Sequence, residues 1–237
     1  MPSIRKLAVF AALALTTTIG FAQDEEGFSG RAGLGYLATS GNTETDSVNI
    51  NFAMGWNYAP WHHGLTGLAV KSSSAGLTTS EAYGLAWQTD YDISELAYWY
   101  GTVAWDKDKF SAYDQQTRET IGYGRHLINT ERHILNGEIG AGARQSDLRD
   151  GTSGNEAILR LSGDYRWIIT ETSRFGQTLA IESGSDNTYI EATSSLSSDI
   201  MDNLALVVSY KIKSNSDVLP GTKKTDTFTA VSIEYIF

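Results

Sequence analysis

The sequence has no cysteine, three prolines, four histidines and no excess of basic residues. Without cysteine there can be no disulfide framework, no thiolate metal site and no Cys nucleophile. A formal charge of −10 argues against nucleic acid as a partner, because phosphate binding wants a basic patch. Long apolar runs are missing too. Nothing approaches the roughly 20 consecutive apolar residues that a membrane helix requires, and helical periodicity is almost absent from residue 28 onward. What remains is a chain rich in Gly, Ser, Thr and Tyr, which favours strands and turns.

The start of the chain reads as an export signal. Arg5 and Lys6 form a basic region, residues 7–15 an apolar core, and Gly20-Phe21-Ala22 a small-x-small cleavage site. That apolar core is too short to span a bilayer, so residues 1–22 are expected to be cleaved. No Cys follows, which excludes lipid attachment there. Residues 23–237 then form one β domain, a length that suits a single large sheet.

The stretch 225–237 sets the pattern. Every second residue gives Thr227, Thr229, Val231, Ile233, Tyr235 and Phe237, an apolar face that becomes aromatic, while small or polar residues fill the alternate positions. Period two means a strand between two different environments. So apolar a strand ending on an aromatic residue would be a sticky edge in a soluble sheet, but in a barrel it closes on the first strand. Val231, Ile233, Tyr235 and Phe237 are therefore expected to act as closure and assembly signal.

Similar alternation recurs along the chain. Strands are predicted at 28–40, 45–58, 63–73, 81–91, 97–105, 117–128, 134–145, 155–168, 174–183, 188–197, 204–213 and 225–237. In 45–58, Val48, Ile50, Phe52, Met54, Trp56 and Tyr58 face one way, against Asn49, Asn51, Ala53, Gly55 and Asn57. Alternation is weak in 63–73 and 188–197. An even strand number fits an antiparallel, up-and-down transmembrane β-barrel. Short turns (59–62, 92–96, 129–132, 170–173, 199–203) alternate with connections that are mostly longer or more polar (41–44, 74–80, 106–116, 146–154, 184–187, 214–224). Tyr58, Trp61, Tyr91, Trp99, Trp167, Phe175 and Phe237 gather beside the short turns, as an interfacial aromatic girdle would.

With Trp56, Leu159 and Val231 turned to lipid, parity sends Arg31, Asp90, Arg118, His126, Glu138, Arg144, Glu156, Arg160, Asp164, Arg166, Glu182, Lys211, Lys213 and Glu234 to the lumen. Mixed signs in a narrow barrel favour pairing across strands over an open conducting field. Glu138, Arg160 and Glu182 lie on successive strands, so Arg160 is expected between two carboxylates, with Arg118, Asp164 and Arg166 in the same network.

Gly41-Asn42-Thr43-Glu44-Thr45, the glycine- and aromatic-rich hairpins and the Tyr235-Ile236-Phe237 end resemble the domain of unknown function 481 family. Some of its members are described as salt-stress-induced outer-membrane proteins. The resemblance spans about residues 27–237 and implies an outer-membrane barrel, with no substrate and no catalytic residues to carry over.

Enzyme chemistry finds little support in the residues. His62 and His63 are adjacent and diverge on a strand, while His126 and His133 flank one turn and could face each other across a hairpin. Two histidines without a carboxylate partner make a poor metal site. Asp106-Lys107-Asp108 reads as a solvated loop, lacking the further oxygen ligands and the glycine of a calcium loop. Gly122-Tyr123-Gly124 and Gly140-Ala141-Gly142 sit inside strands, where glycine permits close packing. The expectation is a barrel without cofactor or catalysis. It would be a structural envelope protein or a narrow passive pore, its partners being outer-membrane lipid, lipopolysaccharide and the assembly machinery. A barrel enzyme acting on lipid and a loop-mediated adhesin are the alternatives.

Overall fold

A computed structural model describes residues 26–39, 45–110, 113–218 and 224–237, all of them in strands or the connections between them. The predicted signal 1–22 and the motif residues 41–44 lie outside the described residues. The strands are β1 (Gly27–Thr39), β2 (Thr45–Tyr58), β3 (Trp61–Ser74), β4 (Leu77–Ser94), β5 (Ala97–Asp108) and β6 (Tyr113–Asn129). They continue with β7 (His133–Leu148), β8 (Ser153–Ile168), β9 (Ser173–Ser183), β10 (Thr188–Met201), β11 (Leu204–Asn215) and β12 (Thr225–Ile236). Each pairs antiparallel with its sequence neighbours, and β12 returns to β1, so the sheet closes as a twelve-stranded barrel.

The two faces of this sheet are inverted relative to a soluble protein. Ile121, Leu159 and Tyr36 are 75%, 68% and 65% exposed on the outside, whereas Arg144, Glu191 and Arg118 are buried inside. Apolar side chains point outward because a hydrocarbon surround removes the penalty water would impose, and charges point inward where they find partners. The fold is a transmembrane β-barrel.

Both ends of the barrel sequence, Gly27 and Phe237, meet at one rim, the terminal rim, with the connections 59–60, 95–96, 130–132, 169–172 and 202–203. There the aromatic residues join across strands: Tyr58 opposite Trp61, Trp61 opposite Tyr91, Tyr91 opposite Trp99 and Trp99 opposite Tyr123. Ring centroids are 4.8 Å apart for Trp61–Tyr91 and 5.8 Å for Trp99–Tyr123, both edge-on. On the other side of the barrel His133, Trp167 and Phe175 continue the belt.

The far rim departs from expectation. The stretches 74–80 and 146–154 are not open loops, β3 and β4 meeting through 75–76 and β7 and β8 through 149–152, and within 106–116 the strands take in 106–108 and 113–116. The strands run on past the apolar belt, as in Gln115 opposite Asp147 and Tyr83 opposite Lys107, because pairing satisfies backbone polar groups in water as well as in lipid. At the tip of 149–152, the Thr152 hydroxyl and amide donate to Asp150 at 2.6 and 2.9 Å. These donors hold the Asp150 carboxyl below the usual carboxylate range.

The seam between β1 and β12 is short. Arg31–Leu34 pair with Ile236–Ile233 over four positions, against eleven between β11 and β12 among the described residues. Two reciprocal bonds extend it, Gly30 N to Phe237 O at 2.7 Å and Phe237 N to Gly30 O at 2.9 Å. The Phe237 ring lies over Gly30, where a Cβ would stand 2.5–2.6 Å from the ring, and its centroid is 5.9 Å from that of Phe28. Val231, Ile233 and Tyr235 all face outward beside this closure.

Candidate functional site: a charge-filled lumen

Inward parity gathers charged and polar side chains from β1 to β12, and they sort into three levels. Nearest the far rim, Asp106 of β5 accepts from Arg118 of β6. Arg144 of β7 donates through Nε and Nη2 to Glu156 of β8 at 2.9 and 2.6 Å, and to the Asn187 carbonyl at 2.6 Å. Glu182 of β9 reaches over to both arginines, 3.7 Å from each. Arg118 stacks on the Tyr189 ring at 5.4 Å, and the Tyr189 hydroxyl donates to Glu191 of β10. Lys211 and Lys213 of β11 complete the level at 3.0 and 3.8 Å from Glu191. One chain of contacts thus crosses the barrel from β5 to β11.

The middle level centres on Glu138. Its carboxylate accepts from Arg160 Nη1 and Ser162 Oγ, both at 2.8 Å, from Gln88 Nε2 at 3.0 Å and from Tyr98 Oη at 3.1 Å. Gln88 also donates to Asp90 at 3.0 Å. Arg160 lies over Tyr100 at 5.7 Å. These tyrosines lie flat because the wall beneath them is glycine. A Cβ at Gly122 would stand 2.7 Å from the Tyr100 ring, and one at Gly124 would strike Tyr98. His126 stacks on Tyr98 at 5.0 Å and hydrogen-bonds Asn136 at 2.8 Å.

Toward the terminal rim, Asn51 of β2 donates to Glu234 of β12 at 2.9 Å, passing over Gly33 of β1, with Arg31 4.0 Å from the same carboxylate. Arg174 and Asp199 form a two-pronged pair at 2.9 Å each. Asp164 is buried on the same inner wall, and Arg166 faces inward within electrostatic reach of it. His62 bridges Asn57 and Asp92 at 3.2 and 2.8 Å.

Three expectations need correction. Arg160 does not sit between two carboxylates. Glu182 is opposite it in the ladder, yet its side chain turns to Arg118 and Arg144 because two buried guanidinium groups outweigh one already paired with Glu138. His126 and His133 do not face each other: His126 points inward, while His133 points outward and stacks on Trp167 at 6.0 Å. Asp106 belongs to β5 and the lumen, not to a solvated loop. His62 and His63 do diverge, His62 to the lumen and His63 to the belt against Trp87. Among the described residues no group of three His, Asp or Glu side chains could hold a metal ion.

Sequence reasoning missed Tyr98, Tyr100, Asp106 and Glu191. Glu191 lies in the weakly alternating stretch 188–197, where Ser194 and Ser198 on the outer face dilute the pattern. The signal that finds it is Ile190 and Leu196, both exposed on the opposite face.

The family described as "Protein of unknown function, DUF481" matches residues 32–237. The chain belongs to that family. The "Uncharacterized protein YdiY" of Escherichia coli strain K12 is 29% identical over 209 residues, which cover 88% of this chain and 82% of that one. Among solved structures, the COG4313 outer membrane channel from Pseudomonas putida F1 superposes with a TM-score of 0.55 at 11% identity, covering 94% of this chain and all of that one. The translocator domain of the autotransporter NalP from Neisseria meningitidis gives 0.52 at 10% identity, covering 92% and 91%. Both are barrels, and the likeness is one of fold.

Proposed function

We propose that this family member is a non-enzymatic barrel of the outer membrane, occluded at rest, whose role is structural in the envelope. The observation that carries this reading is the pair of buried ionic levels spanning the lumen, Asp106 to Lys211 and Gln88 to Arg160. Opening such a barrel would strip buried charges of their partners. The terminal rim, with its short turns and aromatic belt, fits the periplasmic side, and the far rim fits the outside. Export through a cleaved signal, recognition of the β12 face of Val231, Ile233, Tyr235 and Phe237 by the assembly machinery, and contact with lipopolysaccharide belong to the same reading. A part in salt stress rests on the family resemblance alone.

A second reading is a narrow passive pore for small solutes. The lumen favours it in one respect: apart from Leu68, Val70, Ile158 and a few alanines, its buried side chains are mostly polar, so a modest rearrangement would leave a wet path.

Planar-bilayer recording of the refolded protein separates the two. The wild type should show no steady conductance, and Arg160→Ala should expose Glu138 and pass cations. The same variant should lose about 3–5 kcal/mol of stability, because it leaves a buried carboxylate unpaired. A steady wild-type current would replace the occluded barrel by the pore. Identical current and stability in the variant would show that the middle level is not a network.

A further inference from the structure

Arg118 and Arg144 are directly opposite each other on β6 and β7. Like charges so placed repel, and a sheet built for stability alone avoids them. Each has one full partner, Asp106 for Arg118 and Glu156 for Arg144. What remains is notable. Among the described residues, Arg118 Nε and Arg144 Nη1 have no acceptor, although the side chains are only 5% and 1% exposed. Between them stands Glu182, 3.7 Å from both, and its Oε2 accepts no hydrogen bond.

The same barrel shows what a settled pair looks like. Arg174 and Asp199 meet at 2.9 Å through both prongs, and Arg160 meets Glu138 at 2.8 Å. Glu182 adds a third carboxylate to the Arg118–Arg144 pair at 3.7 Å and closes no hydrogen bond with either guanidinium, so their directional demand stays unmet. Meanwhile Tyr189 under Arg118, and the Asn187 carbonyl on Arg144, hold both forks in place. Two fixed guanidiniums with unmet donors are preorganised for a planar, two-oxygen group.

We propose that the Arg118–Arg144 pair is a binding site for the carboxylate of a small organic anion, and that Glu182 stands in that ligand's place when none is bound. The site lies at the level nearest the far rim, beside the connection 184–187, whose Asn187 carbonyl accepts from Arg144 at 2.6 Å and whose Asp186 amide donates to Glu156 at 3.0 Å. This rests on the polar-lumen reading above, not on whether the barrel conducts.

Because Glu182 competes with the ligand, removing its charge should raise apparent affinity. Calorimetric titration of the refolded barrel in detergent, with sodium acetate at constant ionic strength, reads this directly. Glu182→Gln should bind acetate at least about tenfold more tightly than wild type, and adding Arg118→Met should abolish the gain. Acetate binding unchanged from wild type in Glu182→Gln overturns the site, as does a gain that survives Arg118→Met. Equal affinity of Glu182→Gln for chloride or inorganic phosphate overturns the carboxylate class. Should Glu182→Gln fail to give the folded, heat-modifiable gel band, Glu182→Asp takes its place. Its shorter carboxylate should give an intermediate gain, and none would count against the site. Conductance of the same samples reports on occlusion separately, so a wild-type current would leave the binding result standing.

Discussion

Among single residues, the glycines of β6 and β7 matter more than their lack of a side chain suggests. Gly122, Gly124 and Gly140 form a bare patch on which Tyr98 and Tyr100 lie, and only from that position does Tyr98 reach Glu138. Gly124→Val should push the ring away and lose about 1–3 kcal/mol, read as a lower temperature for the shift from fast to slow gel mobility. Gly101→Val is the control, since its Cβ meets only Ile121 at 4.0 Å. An unchanged midpoint in Gly124→Val would mean that the patch is incidental. At this scale the sequence is informative about face and silent about direction. Parity alone places Glu138, Arg160 and Glu182 inside, because side chains alternate across a strand. Which of several inward neighbours a long side chain leans towards depends on the curvature of the wall, and Glu182 shows the limit of parity.

Strands differ in how openly their sequences declare them. β2 matches its predicted bounds residue for residue, since alternation is clean to both ends and Pro60 stops it. β4, β6 and β7 outrun their predicted ends on the far rim, because once past the apolar belt polar residues occupy both faces and the alternation fades while the ladder continues. The turns at the terminal rim are legible from their shortness, and the far-rim connection 184–187 has its predicted bounds, whereas 74–80 and 146–154 are largely taken up by strand whose polar faces hide the alternation. Orientation can be tested on the connections themselves. With no native cysteine, Ser185→Cys in 184–187 should react with an impermeant maleimide on intact cells. Glu131→Cys in 130–132 should react only after the outer membrane is opened. The reverse pattern would invert the barrel.

For the whole molecule, closure distributes strength unevenly. The ionic levels brace β4 to β11, while β1 and β12 are held by the short seam, the Gly30–Phe237 clasp and the strap from Asn51 to Glu234. Leu34 and Ile233 face each other across this seam on the outer surface. A disulfide between Leu34→Cys and Ile233→Cys should stabilise the barrel by about 2–4 kcal/mol, seen as a higher mobility-shift temperature under oxidising conditions only. No difference between oxidised and reduced protein would show that the seam does not limit stability. The arrangement is that of a split ring. A ring of uniform wall spreads an outward load evenly, whereas one joined over few positions yields first at its join. The pair Leu34–Ile233 would then part before the braced wall opposite loses its shape.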